Sequence, residues 1–507
     1  MAFALLFLYA LVIFTVGLMA ARHTPDNFYV NNRESGALGV GFSIFVSCVG
    51  ASATLGVIGM AFAVGTPAFW WLGAGAVGLV LLSLALARKV RASGAYTLPH
   101  MVETFLGPSV RPVISVVIVV AWLAILAAQF SALGLILASL TGLPPLPCLL
   151  IGLVLVCGHT LGGQSAIMRA DYIQALLILS SLAVMLVWLT QHNPSWLQAV
   201  KPEVVNASFP PGKLLYFLVV VGANYVVCPM LFGRIFSARD EQSARRGGLV
   251  GAAGIALCSA LIVAVGLACK GLIPVETSQD EVLTSVLSTV MPHWMQLVVS
   301  FALISAIASS ADSCLLTAAT VLSFDLLGQW RRKASASATT ASAMAKPTCR
   351  LEASRPASLP LQRKVEAAAA CPVGATVQPS PLSLRREWVC VLALGLAGAG
   401  LSLWGKSILG FLLMAYGIFA CGVVMPVGIG LLLHGKGRIE PRFVHAAVVA
   451  GGLLGLAASL GGNTLWSYVG MAVSGALTLS GWRKSAKLKT STFLQTPSDT
   501  AAPHHRV

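Results

Sequence analysis

The sequence predicts an all-α polytopic membrane protein, and three observations carry that prediction. Hydrophobic residues make up 57% of the 507 positions and charged residues only 10%, with a mean hydropathy of +0.84; no soluble globular domain has this balance. Apolar stretches of the length needed to cross about 30 Å of hydrocarbon recur along the chain. Lys and Arg fall in alternate intervening segments, the pattern that sets topology.

The apolar stretches lie at about 2–21, 37–64, 67–87, 112–140, 146–160, 171–191, 214–232, 248–272, 295–327, 388–404, 407–433, 443–461 and 464–481, so about 13 transmembrane helices are expected. The first ends in Leu18-Met19-Ala20-Ala21, small residues of the kind a signal peptidase accepts. Arg22 follows this run instead of preceding it, so an uncleaved, N-out first helix is expected. With the N-terminus outside and the C-terminus inside, all of the 33 Lys and Arg except Lys201, Lys213, Lys270 and Lys406 lie on the inner side. The net charge of +16 then reads as a topology signal facing anionic inner-leaflet lipid, with no nucleic acid implied. The setting expected is a multi-pass protein of a cell (inner or plasma) membrane. The eleven cysteines show no CxxC or Cys/His zinc spacing and read as small packing residues.

Between Trp330 and Glu387 the composition turns to Ala, Ser, Thr, Pro and basic residues, as in RRKASASATTASAMAK. Residues 331–386 are therefore expected to form a disordered cytoplasmic linker, and 484–507 a tail of the same kind. A basic docking segment is the alternative for the linker, although no obligate protein partner is evident.

Four segments carry chemistry at membrane depth. Residues 304–325 form a hydroxyl-studded apolar helix with one carboxylate, Asp312; an ionisable residue there is costly and reads as functional by default. In residues 41–59, Gly41, Gly50, Gly56 and Gly59 interrupt a span, which either unwinds to free carbonyls for a cation or packs closely through small residues. In residues 162–174 a Gly pair precedes Arg169 and Asp171, read as an inner turn with a charge pair or as a gate. In residues 224–247, Pro229 interrupts a span that holds Asn224 and Tyr225, which points to a discontinuous helix.

Together these motifs resemble the sodium:solute symporter family. The resemblance rests on Gly162-Gly163 with Asp171 and Gln174, the run from Arg234 to Arg245, the SSADSCLLTAA helix, DNFYVNNRES at 26–35 and YTLPHMVETFLG at 96–107. It covers about residues 1–328 well and the rest by topology. It implies a LeuT-like fold of two inverted five-helix repeats with broken first helices, at about 37–191 and 214–433. A first peripheral helix and inner loop (1–36), an outer loop (192–213) and two peripheral C-terminal helices (434–483) complete the expected organisation.

The resemblance also implies a sodium site formed by the carbonyls of Val46 and Val49 with Ala306, Ser309 and Ser310. Positions 306, 309 and 310 are spaced i, i+3 and i+4 and share one helix face. Neutral oxygens suit a hard monovalent cation; zinc would favour Cys or His, and calcium several carboxylates. Packing, or bonding back to the preceding turn, is the plain alternative for the two serines. Asp312 and Asp171 are expected at a second ion site or on the inward exit path, with helix-to-helix hydrogen bonding as the alternative for each.

Ser52, Thr54, Trp70, Ala223, Asn224 and Tyr225 are the candidate solute-pocket residues. Cys48 and Ala53 stand where the family's sugar carriers use polar groups, so an amino acid or small carboxylate is favoured over a sugar. One sodium moving inward down about 100 mV gains roughly 2.3 kcal/mol, and a tenfold gradient adds about 1.4. No GxxxxGK[ST] loop or catalytic triad motif occurs, so neither an ATP-driven pump nor an enzyme is expected. Two rivals stay open: proton coupling through Asp312 or Asp171, marked by sodium-independent, pH-dependent uptake, and a non-transporting solute sensor acting through the linker.

Overall fold

The computed structural model describes residues 2–20, 24–329, 383–405 and 407–484. Within them the chain is a helical bundle, and every apolar stretch read from the sequence falls on a helix. In chain order these are α1 (Ala2–Ala20), the pair α2 (Ala37–Cys48) and α3 (Ser52–Val64), α4 (Thr66–Ala92), α5 (Leu98–Leu106), α6 (Val110–Thr141), α7 (Pro145–Thr160) and α8 (Gly163–His192). After an outer loop come α9 (Pro211–Phe236), α10 (Glu241–Ala268), α11 (Val282–Thr289), α12 (His293–Leu327), α13 (Ser383–Ser402), α14 (Ile408–Leu433), α15 (Pro441–Gly461) and α16 (Leu465–Ser480). Among the described residues eight helices are long and apolar enough to cross a membrane, or nine if the bent pair α2–α3 is one span. Residues Leu6–Gly17 of α1, together with α7 and α16, are shorter apolar helices.

The break between α2 and α3 is local in origin. The two helices meet at 62°, and Val49 leaves helical geometry at φ −100°, ψ 71°. A Cβ on Gly50 would stand 2.5 Å from Ser310 Oγ and 2.7 Å from Gln129 Oε1, closer than packed atoms allow, so only glycine fits. The Ala51 N–H that the break frees is taken by Gln129 Oε1 of α6 at 2.9 Å, satisfying a donor that would otherwise be orphaned. Thr54 Oγ1 donates to the Gly50 carbonyl at 3.0 Å. The expected interruption of α9 is also present: Val227 (φ −127°, ψ 63°) and Cys228 (φ −102°, ψ 118°) are non-helical immediately before Pro229. Pro229 has no N–H to continue the ladder and disfavours helical geometry at the residue before it.

Around these breaks, α2 packs on α10 and α8, while α12 packs on α6, α8 and α7. Helix α6 carries α14 and α13 on its other faces, and α15 with α16 stands outside α14. The densest burial is along α12, whose residues from Ala302 to Leu316 are all buried.

Two boundaries differ from the sequence expectation. The linker was expected to reach residue 386, but α13 begins at Ser383. Glu387 is 1% exposed and its carboxylate accepts hydrogen bonds from Tyr29 and Ser323, which ties the start of α13 to the folded body while Arg385 stays exposed. Lys484, expected to open the tail, ends a strand (Trp482–Lys484) paired antiparallel with Gly437–Ile439. Residues 331–382 and 485–507 lie outside the described residues.

Candidate ion and solute site

Ser310 projects from α12 toward the end of α2, and Ser309 toward α8. Ser310 Oγ donates to the Ser47 carbonyl at 2.7 Å, and Ser309 Oγ donates to Asp171 Oδ1 of α8 at 2.7 Å. Both serines and Asp171 are buried. Val49 N–H bonds the Val46 carbonyl at 3.1 Å, closing the last turn of α2. Ala306 is buried on the same face of α12 and, with Thr54 and Ile58, lines a small space beside the break. The hinge of the broken helix thus carries two oxygen pairs, Ser310 with the Ser47 carbonyl and Ser309 with the Asp171 carboxylate. That donor set fits a hard cation.

A buried cation stands next to the cluster. Arg234 of α9 is 1% exposed. Its guanidinium donates to Ser47 Oγ at 3.0 Å, Ser43 Oγ at 3.3 Å, the Met230 carbonyl at 3.3 Å and Ser313 Oγ. Ser43 in turn donates to Asp171 Oδ2 at 2.5 Å, so the charges of Arg234 and Asp171 communicate through one hydroxyl. The sequence had coupled Asp171 with Arg169. The structure separates them, because two residues on a helix differ by about 200° in direction: Arg169 is exposed and Asp171 buried.

Asp312 faces elsewhere. It is buried against α7, where its carboxylate pairs with His159 and accepts from Thr160 Oγ1 at 3.1 Å. This is the helix-to-helix bonding that the sequence left as an alternative, and its partner, His159, was not foreseen.

A cavity of about 50 Å³ lies above the hinge, between α2–α3, α6, α9, α12 and α14. Of the candidate pocket residues, Ser52, Asn224 and Tyr225 line it, while Thr54, Trp70 and Ala223 do not. Helical rotation accounts for two of these. Trp71, one residue past Trp70, is the indole turned inward, against Phe217 and Tyr416, and Ala223 sits one step of about 100° from Asn224. Thr54 is engaged with the broken helix, as described above. Sequence reasoning missed Trp122, Gln129 and Tyr416. Gln129 had a signal, as the lone carboxamide in the apolar run 112–140; Trp122 and Tyr416 read as ordinary apolar lining.

Residues 28–349 match the family described as the sodium:solute symporter family. The chain belongs to it. That family, like the structural neighbours below, consists of transporters and not of enzymes. A curated relative, an uncharacterized symporter of Cupriavidus necator, is 25% identical over 205 residues, which cover 38% of this chain. The matched stretch spans 30% of that relative's length. Among solved structures, a Na+-coupled sialic acid symporter in a substrate-bound outward-open state aligns with a TM-score of 0.74 at 15% identity, covering 96% of this chain and 99% of that one. MhsT in complex with L-phenylalanine aligns at TM-score 0.52 and 14% identity, over 88% and 98% of the two chains. Mhp1, a nucleobase-cation-symport-1 family transporter with bromovinylhydantoin bound, aligns at 0.56 and 14% over 90% and 94%. At these identities the likeness is one of fold.

Proposed function

We propose that the protein is a secondary active transporter that couples inward movement of sodium to symport of a small organic solute by alternating access. The observation that supports this reading is the hinge between α2 and α3, where Ser310 bonds the Ser47 carbonyl beside a cavity that both line, and Ser309 bonds the buried carboxylate of Asp171. Sodium would be held by the carbonyls of Val46 and Val49 together with Ala306, Ser309 and Ser310. Asp171, joined to Ser309, supplies the negative charge on that side. Two inverted repeats, about 37–191 and 214–433, would rock about this hinge, within thirteen spanning helices that start outside and end inside a cell membrane.

Family membership and a Na+-coupled neighbour of the same fold support sodium over protons as the coupling ion. Asp312, the sequence candidate for a proton carrier or second ion, is committed to His159 and Thr160, and we read it as a tie between α12 and α7. The small volume of the cavity supports a compact solute, an amino acid or small carboxylate, over a sugar. Sodium-driven uptake into liposomes tests the proposal: transport should require sodium inside-directed and be lost when potassium replaces it. Uptake driven equally by a proton gradient in potassium would overturn it.

A further inference from the structure

A two-stranded ribbon stands where two of the apolar helices, α14 and α16, end. Its strand Gly437–Ile439 pairs antiparallel with Trp482–Lys484, and the register sets Ile439 opposite Trp482 and Arg438 opposite Arg483. Glu440 extends the pairing, its N–H donating to the Gly481 carbonyl at 3.0 Å. Successive residues of a strand face opposite sides, and residues directly opposite each other share a side. Ile439 is buried and Trp482 half-buried against the core, so their side of the ribbon faces the bundle. Arg438 and Arg483 share the other side, and both are exposed.

Two arginines held directly opposite each other, with Cβ atoms about 4.5–5.5 Å apart, repel. The neighbouring sequence offers little relief. Across 434–442 and 482–484, Lys436, Arg438, Arg442, Arg483 and Lys484 meet a single acid, Glu440. Its carboxylate is divided between Arg442 at 2.7 Å and Arg483 at 3.4 Å, whose side chains are 75% and 63% exposed, and ion pairs so open to water contribute little. Arg438 has no ion pair or hydrogen-bond partner among the described residues.

Topology asks for basic residues near the ends of spans, but for no particular register among them. A register that sets two guanidinium groups side by side, facing away from the bundle, suits a phosphate, whose oxygens match the planar donor fork of arginine. The half-buried Trp482 on the other side is the residue type that collects at the membrane–water boundary, the depth of a lipid headgroup. We propose that the exposed side of this ribbon binds the phosphate headgroup of an anionic lipid between Arg438 and Arg483. The orientation proposed above turns this side toward the inner leaflet, where anionic lipid attracts basic segments. The contact itself depends neither on sodium coupling nor on the identity of the solute.

The test is thermal unfolding of the purified full-length protein in neutral detergent and potassium buffer, titrated with phosphatidylglycerol, phosphatidylcholine or inorganic phosphate, with native mass spectrometry to count the lipid retained. Phosphatidylglycerol should stabilise the parent, and the other two should not. Arg438→Gln/Arg483→Gln should raise the half-saturating phosphatidylglycerol concentration at least about tenfold. Because it removes a repulsion, it should be no less stable than the parent before lipid is added. Arg438→Lys/Arg483→Lys keeps the charge without the fork and should fall between the two. Arg88→Gln/Lys89→Gln removes the same charge from exposed positions near the C-terminal end of α4 and should leave half-saturation within about twofold. Equal weakening in the two glutamine pairs would reduce the effect to diffuse surface charge and overturn the site. A parent indifferent to phosphatidylglycerol would also overturn it, as would inorganic phosphate acting as strongly as the lipid, or a glutamine pair that is destabilised before lipid is added.

Discussion

Replacing His159, Asp312 or both separates a structural tie from an ion ligand. His159 is 4% exposed and Asp312 1%, so each partner has little water to fall back on. His159→Leu leaves the Asp312 carboxylate with only the Thr160 hydroxyl at 3.1 Å; stranding one member of a buried pair costs about 3–5 kcal/mol. Asp312→Leu leaves both imidazole nitrogens without partners, Nε2 being unpaired already, at about 1–3 kcal/mol. The single Thr160 proton is shared between Asp312 and the Val156 carbonyl at 2.8 Å, and passes to the carbonyl when Asp312 is replaced. The double variant removes both polar groups together and should lie within about 1–2 kcal/mol of the parent, so the cycle should show a coupling of about 2 kcal/mol or more. The assay is denaturant unfolding of the four purified proteins beside the sodium concentration for half-maximal transport. Half-saturation should stay within about twofold of the parent in the double variant, whose fold is retained. Additive single effects would refute the pairing. A sodium requirement raised in Asp312→Leu as far as in Ser309→Ala/Ser310→Ala would refute the reading of Asp312 as a tie.

Three further outcomes are expected. Arg234→Lys keeps the charge but not the fork that reaches Ser43, Ser47 and Ser313 at once; each lost charge-assisted bond is worth about 1.5–3 kcal/mol, and transport rate should fall at least about tenfold at unchanged surface abundance. Unimpaired transport by the lysine variant would show that the fork is dispensable. A Cβ on Gly78 would collide with the Gly222 carbonyl where α4 crosses α9, so Gly78→Ala should cost about 1–3 kcal/mol, read as a lower apparent melting temperature. Deleting residues 336–380 should preserve insertion and transport, because that stretch is poor in the apolar residues a core requires. The cut stops before α13 so that Glu387 keeps its bonds to Tyr29 and Ser323; loss of insertion would show the linker to be structural.

Much of this architecture was readable from local pattern. The break at Gly50 and the interruption before Pro229 each follow from what glycine and proline permit. The shared face of Ala306, Ser309 and Ser310 follows from helical periodicity alone. What stayed hidden depends on which distant helix packs where. Asp312 stood out as a carboxylate in an apolar run, yet its partner lies 153 positions away in the chain, and no local rule links α12 to α7. The pairing of Arg169 with Asp171 failed for the opposite reason: adjacency in sequence was taken for adjacency in space, and the two residues occupy opposite sides of one helix. Trp122 carries no signal in the sequence, because lining the cavity is a property of the packed bundle.

The central claim is that the oxygens gathered at the α2–α3 hinge bind sodium, and equilibrium binding of radioactive sodium to the purified protein tests it without knowledge of the solute. The parent should show saturable binding that excess potassium does not displace, and Ser309→Ala/Ser310→Ala should weaken it by at least about tenfold, through loss of two hydroxyl ligands. Equal binding by the two proteins would contradict the site, and no binding by folded parent protein would contradict sodium coupling itself.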